Sequence, residues 1–108
     1  MRLIEIAKRR ARKIGSSLCV FVPRSWLGMN ALNAGMLVYA HCGAVREEIR
    51  YYPDDGPGRT PVTLQLRDPR KVFVVMPSDG TRRFGIEKGA ELSLLVNQTG
   101  TLVVRRAV

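Results

Sequence analysis

The residues of this chain that could do chemistry fall into a few small groups. Gly15-Ser16-Ser17 offers hydroxyls on a permissive backbone, the kind of turn that can hold a phosphate. His41 and Cys42 are potential metal ligands, and Glu47 and Glu48 a pair of carboxylates. Basic side chains flank the short apolar run Leu18–Val22, with Arg10, Arg12 and Lys13 before it and Arg24 after it. A second apolar run, Val72–Met76, follows Arg67, Arg70 and Lys71 and precedes Arg82.

Catalysis and metal binding find little here. Gly15-Ser16-Ser17 lacks the GxxxxGK[ST] spacing of a nucleotide-binding loop, and it leads into a strand pattern instead of a helix. Neither serine has a histidine–acid partner in view, since His41 is the single histidine. His41 and Cys42 are neighbours in a strand pattern, so they point to opposite faces and make a poor chelating pair. The same alternation separates Glu47 from Glu48. The expectation is no enzyme, no cofactor and no metal site. Cys19 and Cys42 read as buried, reduced thiols, with a cross-strand disulfide as the alternative for a hyperthermophile source.

Positive charge is the stronger signal. Eighteen Lys and Arg stand against nine Asp and Glu, for a net charge of +9. Arg2, Lys8, Arg9, Arg10, Arg12 and Lys13 crowd the N-terminal segment with Glu5 alone opposing them. Such clustering on a small folded chain points to a polyanionic partner. If roughly 4–8 phosphates were engaged, the log–log salt dependence of binding would have a slope of about −4 to −7.

With 108 residues the chain reads as one domain, or as two very small ones sharing a core. The apolar runs are too short to span a bilayer, and the N-terminus begins apolar and ends basic, the reverse of a secretory signal. The expectation is a soluble, cytoplasmic protein with no membrane partner.

The elements that must position these residues follow one plan written twice. An offset of 77 − 23 = 54 lays Pro77 on Pro23, Gly89 on Gly35, Val74 on Val20, Ile86 on Leu32, Leu92 on Val38 and Val103 on Ile49. Each half reads as a basic turn, a short strand, a proline, a helical turn, a glycine turn and a hairpin. In the first half Leu18–Val22 is a strand that Pro23 ends, because proline has no amide donor. Arg24–Met29 suits a short helix with Trp26 and Leu27 as inward anchors. Met36–Cys42 and Val45–Tyr52 form a hairpin across Gly43-Ala44. In the second half the strands are Val62–Leu66 and Val72–Met76, joined by a turn over Arg67–Lys71. Ser78 or Asp79 is placed to cap a helix reaching Phe84, and Glu91–Val96 pairs with Thr101–Arg106. The division is therefore residues 1–53, a linker at 54–61 and residues 62–108, the two halves intertwined because neither has enough apolar surface to stand alone.

The stretch RKIGSSLCVFVPRSWLGMNALNAGMLVYA resembles the AbrB/MazE/SpoVT group of swapped-hairpin DNA-binding domains. Arg12, Lys13, Gly15, Ser16, Ser17, Val20, Val22, Pro23, Trp26, Leu27, Leu32 and Gly35 carry the likeness. VFVVMPSDGTRRFGIEKGAELSLLV carries it a second time through Pro77, Arg82, Phe84, Gly85, Ile86, Lys88 and Gly89, although the second copy has Asp68-Pro69-Arg70-Lys71 in place of the Gly-Ser-Ser turn. The resemblance implies a mainly β fold with short helices, a swapped-hairpin barrel built from two pseudo-repeats in one chain. It also implies a transcriptional regulator that contacts duplex DNA through basic loops meeting on one face. Arg10, Arg12, Lys13, Ser16, Arg24, Arg67, Arg70, Lys71 and Arg82 are the expected contacts, with a homo-oligomer as a further partner. Alternatives are an antitoxin-like regulator with a toxin partner, disfavoured because no extended toxin-binding tail follows Arg105-Arg106, a barrel adaptor for protein–protein assembly, and an RNA binder.

Overall fold

A computed structural model describes residues 2–43, 45–68 and 70–107. Among them the chain forms β1 (Ile4–Arg10), β2 (Arg12–Ile14), β3 (Ser17–Phe21), α1 (Arg24–Met29), β4 (Leu37–Gly43), β5 (Glu48–Tyr52), β6 (Thr60–Thr63), β7 (Gln65–Arg67), β8 (Lys71–Val75), α2 (Ser78–Arg83), β9 (Glu91–Val96) and β10 (Leu102–Arg106). The fold is mainly β with two short helices. Its strands form a six-stranded sheet, β1-β9-β10-β5-β4-β6, and a four-stranded sheet, β2-β3-β8-β7.

A pseudo-twofold axis relates the halves. It passes between β3 and β8, where Val20 pairs with Val74, and between β5 and β10, where Arg50 pairs with Val103. The 54-residue offset holds from β3 to β4, so Pro23 matches Pro77, and Gly35 at φ 93° matches Gly89 at φ 85°. Elsewhere it shortens to 53. Arg12 pairs with Cys19 while Gln65 pairs with Phe73, because the β7–β8 turn is one residue longer than the β2–β3 turn. Likewise Leu102, not Val103, is the counterpart of Ile49: Cys42 pairs with Ile49 and Val96 with Leu102, across connections of unequal length.

Alternation along the strands builds the core between the sheets. Val20, Val22, Val74 and Met76 of the small sheet face Val38, Ile49, Tyr51, Leu92, Leu94, Leu102 and Val104 of the large one, all buried. Tyr51 ties the layers together by donating its hydroxyl to the Val75 carbonyl at 2.9 Å.

The chain passes between sheets at two bends. Ala11 donates its N–H to Ala90 and accepts from Gly89, both at 2.8 Å, as β1 gives way to β2. Leu64 does the same with Met36 at 2.9 Å and Gly35 at 2.7 Å as β6 gives way to β7. Both side chains are buried at the corner. The described residues therefore make two packed sheets joined at corners, not the closed barrel expected, and β2 and β7 remain as edges of the small sheet.

Local boundaries differ in places. β5 begins at Glu48 and not at Val45, because residues 45–47 turn, with Glu47 at φ 50°. The expected Gly43-Ala44 turn falls partly on Ala44, outside the described residues, as does Pro69 in the second basic turn. β6 starts at Thr60, inside the stretch expected as linker. Pro77 itself occupies the N-cap of α2, so neither Ser78 nor Asp79 caps it by a side-chain hydrogen bond.

Candidate nucleic-acid interface

The outer face of the small sheet carries a small apolar cluster ringed by cations. While Val20 and Val74 point into the core, Cys19 and Phe21 of β3 and Phe73 and Val75 of β8 point the other way. Phe21 and Phe73 are cross-strand partners, with ring centroids 5.7 Å apart and planes inclined at 63°. Burial pushes the Cys19 thiol above its ordinary pKa. The Arg12 guanidinium lies 5.8 Å from the Phe21 ring centroid, and the Lys71 ammonium lies 5.9 Å from the same ring.

Further cations converge at this end. β3 and β8 run antiparallel, and the Val22 N–H extends their ladder by donating to Val72 at 2.9 Å. Continuing that register brings Arg24, at the start of α1, beside Arg70, just before β8. Arg9, Arg12, Arg24, Arg70 and Lys71 together rim a cleft of about 410 Å³, whose floor includes Phe21, Leu27 and Val72. All five cations are exposed. The ion pairs formed among the described residues lie elsewhere, at Glu48 and at Asp79. This is a concave, uncompensated positive surface on an apolar base.

The remaining expected contacts are spread around it. Arg67 pairs across the β7–β8 turn with Lys71 and is exposed. Arg10 turns aside, donating to the Gly89 carbonyl at 3.0 Å, and lines a neighbouring cleft of about 550 Å³ with Lys8, Lys13 and Lys88. Ser16 and Arg82 are not part of the cluster. Ser16 sits in the β2–β3 turn, and Arg82 on α2, which follows the other end of β8.

The tips of the β2–β3 and β7–β8 turns sit at opposite ends of the β3–β8 ladder, although Arg12 of the first basic group does join Arg70 and Lys71 of the second in the cleft. β3 and β8 pair head to tail, so Ser16 and Arg70 lie about eight ladder positions apart, roughly 26 Å at ~3.3 Å per residue. The cluster forms because the same antiparallel pairing brings the β7–β8 turn to the start of α1, across β3 from Arg12 of β2. Arg9, Phe21 and Lys88 were missed. The Lys8-Arg9-Arg10 run signalled Arg9, but nothing local to Phe21 distinguished it from a core residue.

Other reactive groups have structural placements. His41 is exposed on the outer face of the large sheet. Cys42 packs beneath α2, its thiol raised by burial and then by the Asp79 carboxylate. Both cysteines are free thiols. Glu48, buried on the outer side of the large sheet, is clamped by Arg50 and by Arg105, whose Nη2 lies 2.9 Å from Oε1. No helix of the described residues is long and apolar enough to cross a membrane.

No protein-family model matches the chain, and neither the curated proteins nor the solved structures yield a match.

Proposed function

We propose that the chain binds double-stranded DNA through the cleft beside α1 and acts as a transcriptional regulator of the AbrB/MazE/SpoVT type. The observation that supports this reading most is the convergence of Arg9, Arg12, Arg24, Arg70 and Lys71, all exposed, around one concavity. Like charges repel, so five of them brought together without an acidic partner suit a surface completed by an anion. The phosphate backbone supplies that anion at regular spacing, and each cation seated on it releases a condensed counterion. Phe21 makes cation–π contacts with Arg12 and Lys71 that leave both charges intact. An arginine of this rim that reaches the major groove can fork onto guanine O6 and N7.

The test is a fluorescence-anisotropy titration of a mixed-sequence duplex across a salt series, with single-stranded and RNA probes of the same sequence. Five seated cations predict a log–log slope of about −4 to −5 on the duplex, at about −0.9 each. Preference for the duplex with that slope supports the reading. Absence of duplex binding even at low salt overturns it, and salt-independent association with a protein would favour an assembly adaptor.

A further inference from the structure

The pseudo-twofold is kept in the strand pairing and lopsided in charge. Every cation of the cleft has a neutral counterpart across the axis. Arg9 corresponds to Val62 and Arg12 to Gln65, by the 53-residue offset of the bent strands. Arg24 corresponds to Ser78, the first residue of each helix, and Lys71 corresponds to Ser17. Arg70 corresponds to Ser16, the turn residue before each inner strand. The floor changes too, since Val75 stands where the first end has Phe21.

The α2 end also holds basic residues, two of which have side-chain contacts of their own. Arg83 pairs with Asp79 at 3.3 Å and stacks on Phe84, and Arg106 donates to the Gly85 carbonyl at 3.3 Å. Arg82 is exposed on α2. None of them rims the cleft beside Phe21.

A symmetric protein laid on DNA along its axis reads two half-sites related by that axis. Here one side of the axis presents five exposed cations on an aromatic base, and the equivalent positions on the other side are serines, a glutamine and a valine. We infer that the chain engages duplex DNA from the α1 end alone and therefore recognises a single non-palindromic site, not an inverted repeat. This rests on the duplex-binding reading above. The second copy serves the fold, where its hairpin and inner strand complete both sheets, while the five-cation cluster is confined to the end built by Arg24 and Lys71.

Two triple variants with equal charge loss separate the possibilities. One carries Arg12→Ala, Arg24→Ala and Lys71→Ala; the other carries Arg82→Ala, Arg83→Ala and Arg106→Ala. Both are titrated with the same duplex over the same salt series, after circular dichroism and thermal melting have established that they fold. One-ended binding predicts that the first flattens the log–log slope by about 2–3 and the second by less than about 1. Equal flattening by the two, with the unaltered chain still binding, overturns one-ended binding and leaves duplex binding standing. No binding by the unaltered chain overturns both. Should the first triple fail to fold, Arg12→Ala, Arg24→Ala and Lys71→Ala are measured singly, each expected to remove about 0.9 from the slope; unchanged slopes in all three overturn the inference.

Discussion

Trp26 of α1 donates its indole N–H to the carbonyl of Gly100, 2.8 Å away, in the β9–β10 turn of the other half of the chain. Asn30, one turn along the same helix, donates to the same carbonyl at 3.0 Å. Gly100 lies at φ 83°, and a side chain there would run into Asn30. The helix of the first half is thus clasped by the hairpin of the second. Across the axis, α2 packs in turn against Cys42 and Ile49 of the first half's hairpin. Each helix is thus packed against the hairpin of the opposite half.

Trp26→Phe keeps an aromatic anchor but removes the donor and part of the buried volume. The expected cost is roughly 1.5–3 kcal/mol, combining the lost hydrogen bond with a small cavity. Urea denaturation checks it, with Arg24→Ala as the surface comparison at under about 0.5 kcal/mol. Equal stability of Trp26→Phe and the unaltered protein would show that the clasp does not hold the halves.

The counterpart of Trp26 is Gly80, and the pair shows how one fold admits opposite solutions. A Cβ built on Gly80 would lie 2.6 Å from the Cys42 sulfur and 3.3 Å from Ile49. Gly80→Ala is therefore expected to destabilise by roughly 1–3 kcal/mol through overpacking. Gly28, equally helical, has open space around it, so Gly28→Ala should stabilise by about 0.5–1 kcal/mol. Thermal melting of the two alanine variants should shift in opposite directions; shifts of the same sign would contradict the packing at α2.

That contrast marks the limit of what the sequence made legible. Pro23 and Pro77 end their strands and Gly35 and Gly89 take positive φ because local backbone chemistry requires it, and local chemistry is readable in a string of residues. The apolar alternation of Leu18–Val22 and Val72–Met76 was readable for the same reason. Whether the position facing the opposite hairpin is Trp26 or Gly80 depends on how closely each helix approaches, a tertiary quantity. The site followed the same rule. Its cations were nameable from composition, but their grouping depends on the direction in which β3 and β8 pair. An antiparallel ladder brings Arg24 to Arg70 and carries Ser16 away from it.

Glu48 is a buried carboxylate held by two arginines, one from each half. The Arg50 and Arg105 side chains are 27% and 30% exposed, so water shares their charge and limits the effect of breaking the pair. Glu48→Gln is expected to cost about 1–3 kcal/mol, below the range for a wholly buried pair. A double-mutant cycle with Arg105→Ala checks whether the halves are coupled here: a coupling below about 0.3 kcal/mol would show the two residues to be independent.

Tyr51 predicts an alkaline limb in the stability curve. It is fully buried, its hydroxyl satisfied by the Val75 carbonyl, and burial raises its pKa well above the ordinary 10.0. The folded chain therefore keeps this proton after the unfolded chain has released it. With fewer protons bound to the unfolded state, stability falls as pH rises above about 10, by up to about 1.4 kcal/mol per pH unit, and is complete below that pH. Tyr51→Phe loses the hydrogen bond to Val75, at a cost of about 1–2 kcal/mol near neutral pH. It also loses the titration. Other groups ionise in the same range, so the measurement is the difference in urea midpoint between the unaltered chain and Tyr51→Phe at neutral and strongly alkaline pH. The gap should close, or change sign, as pH rises through the window above 10; a gap independent of pH would mean that the hydroxyl ionises as freely in the folded chain as in the unfolded one.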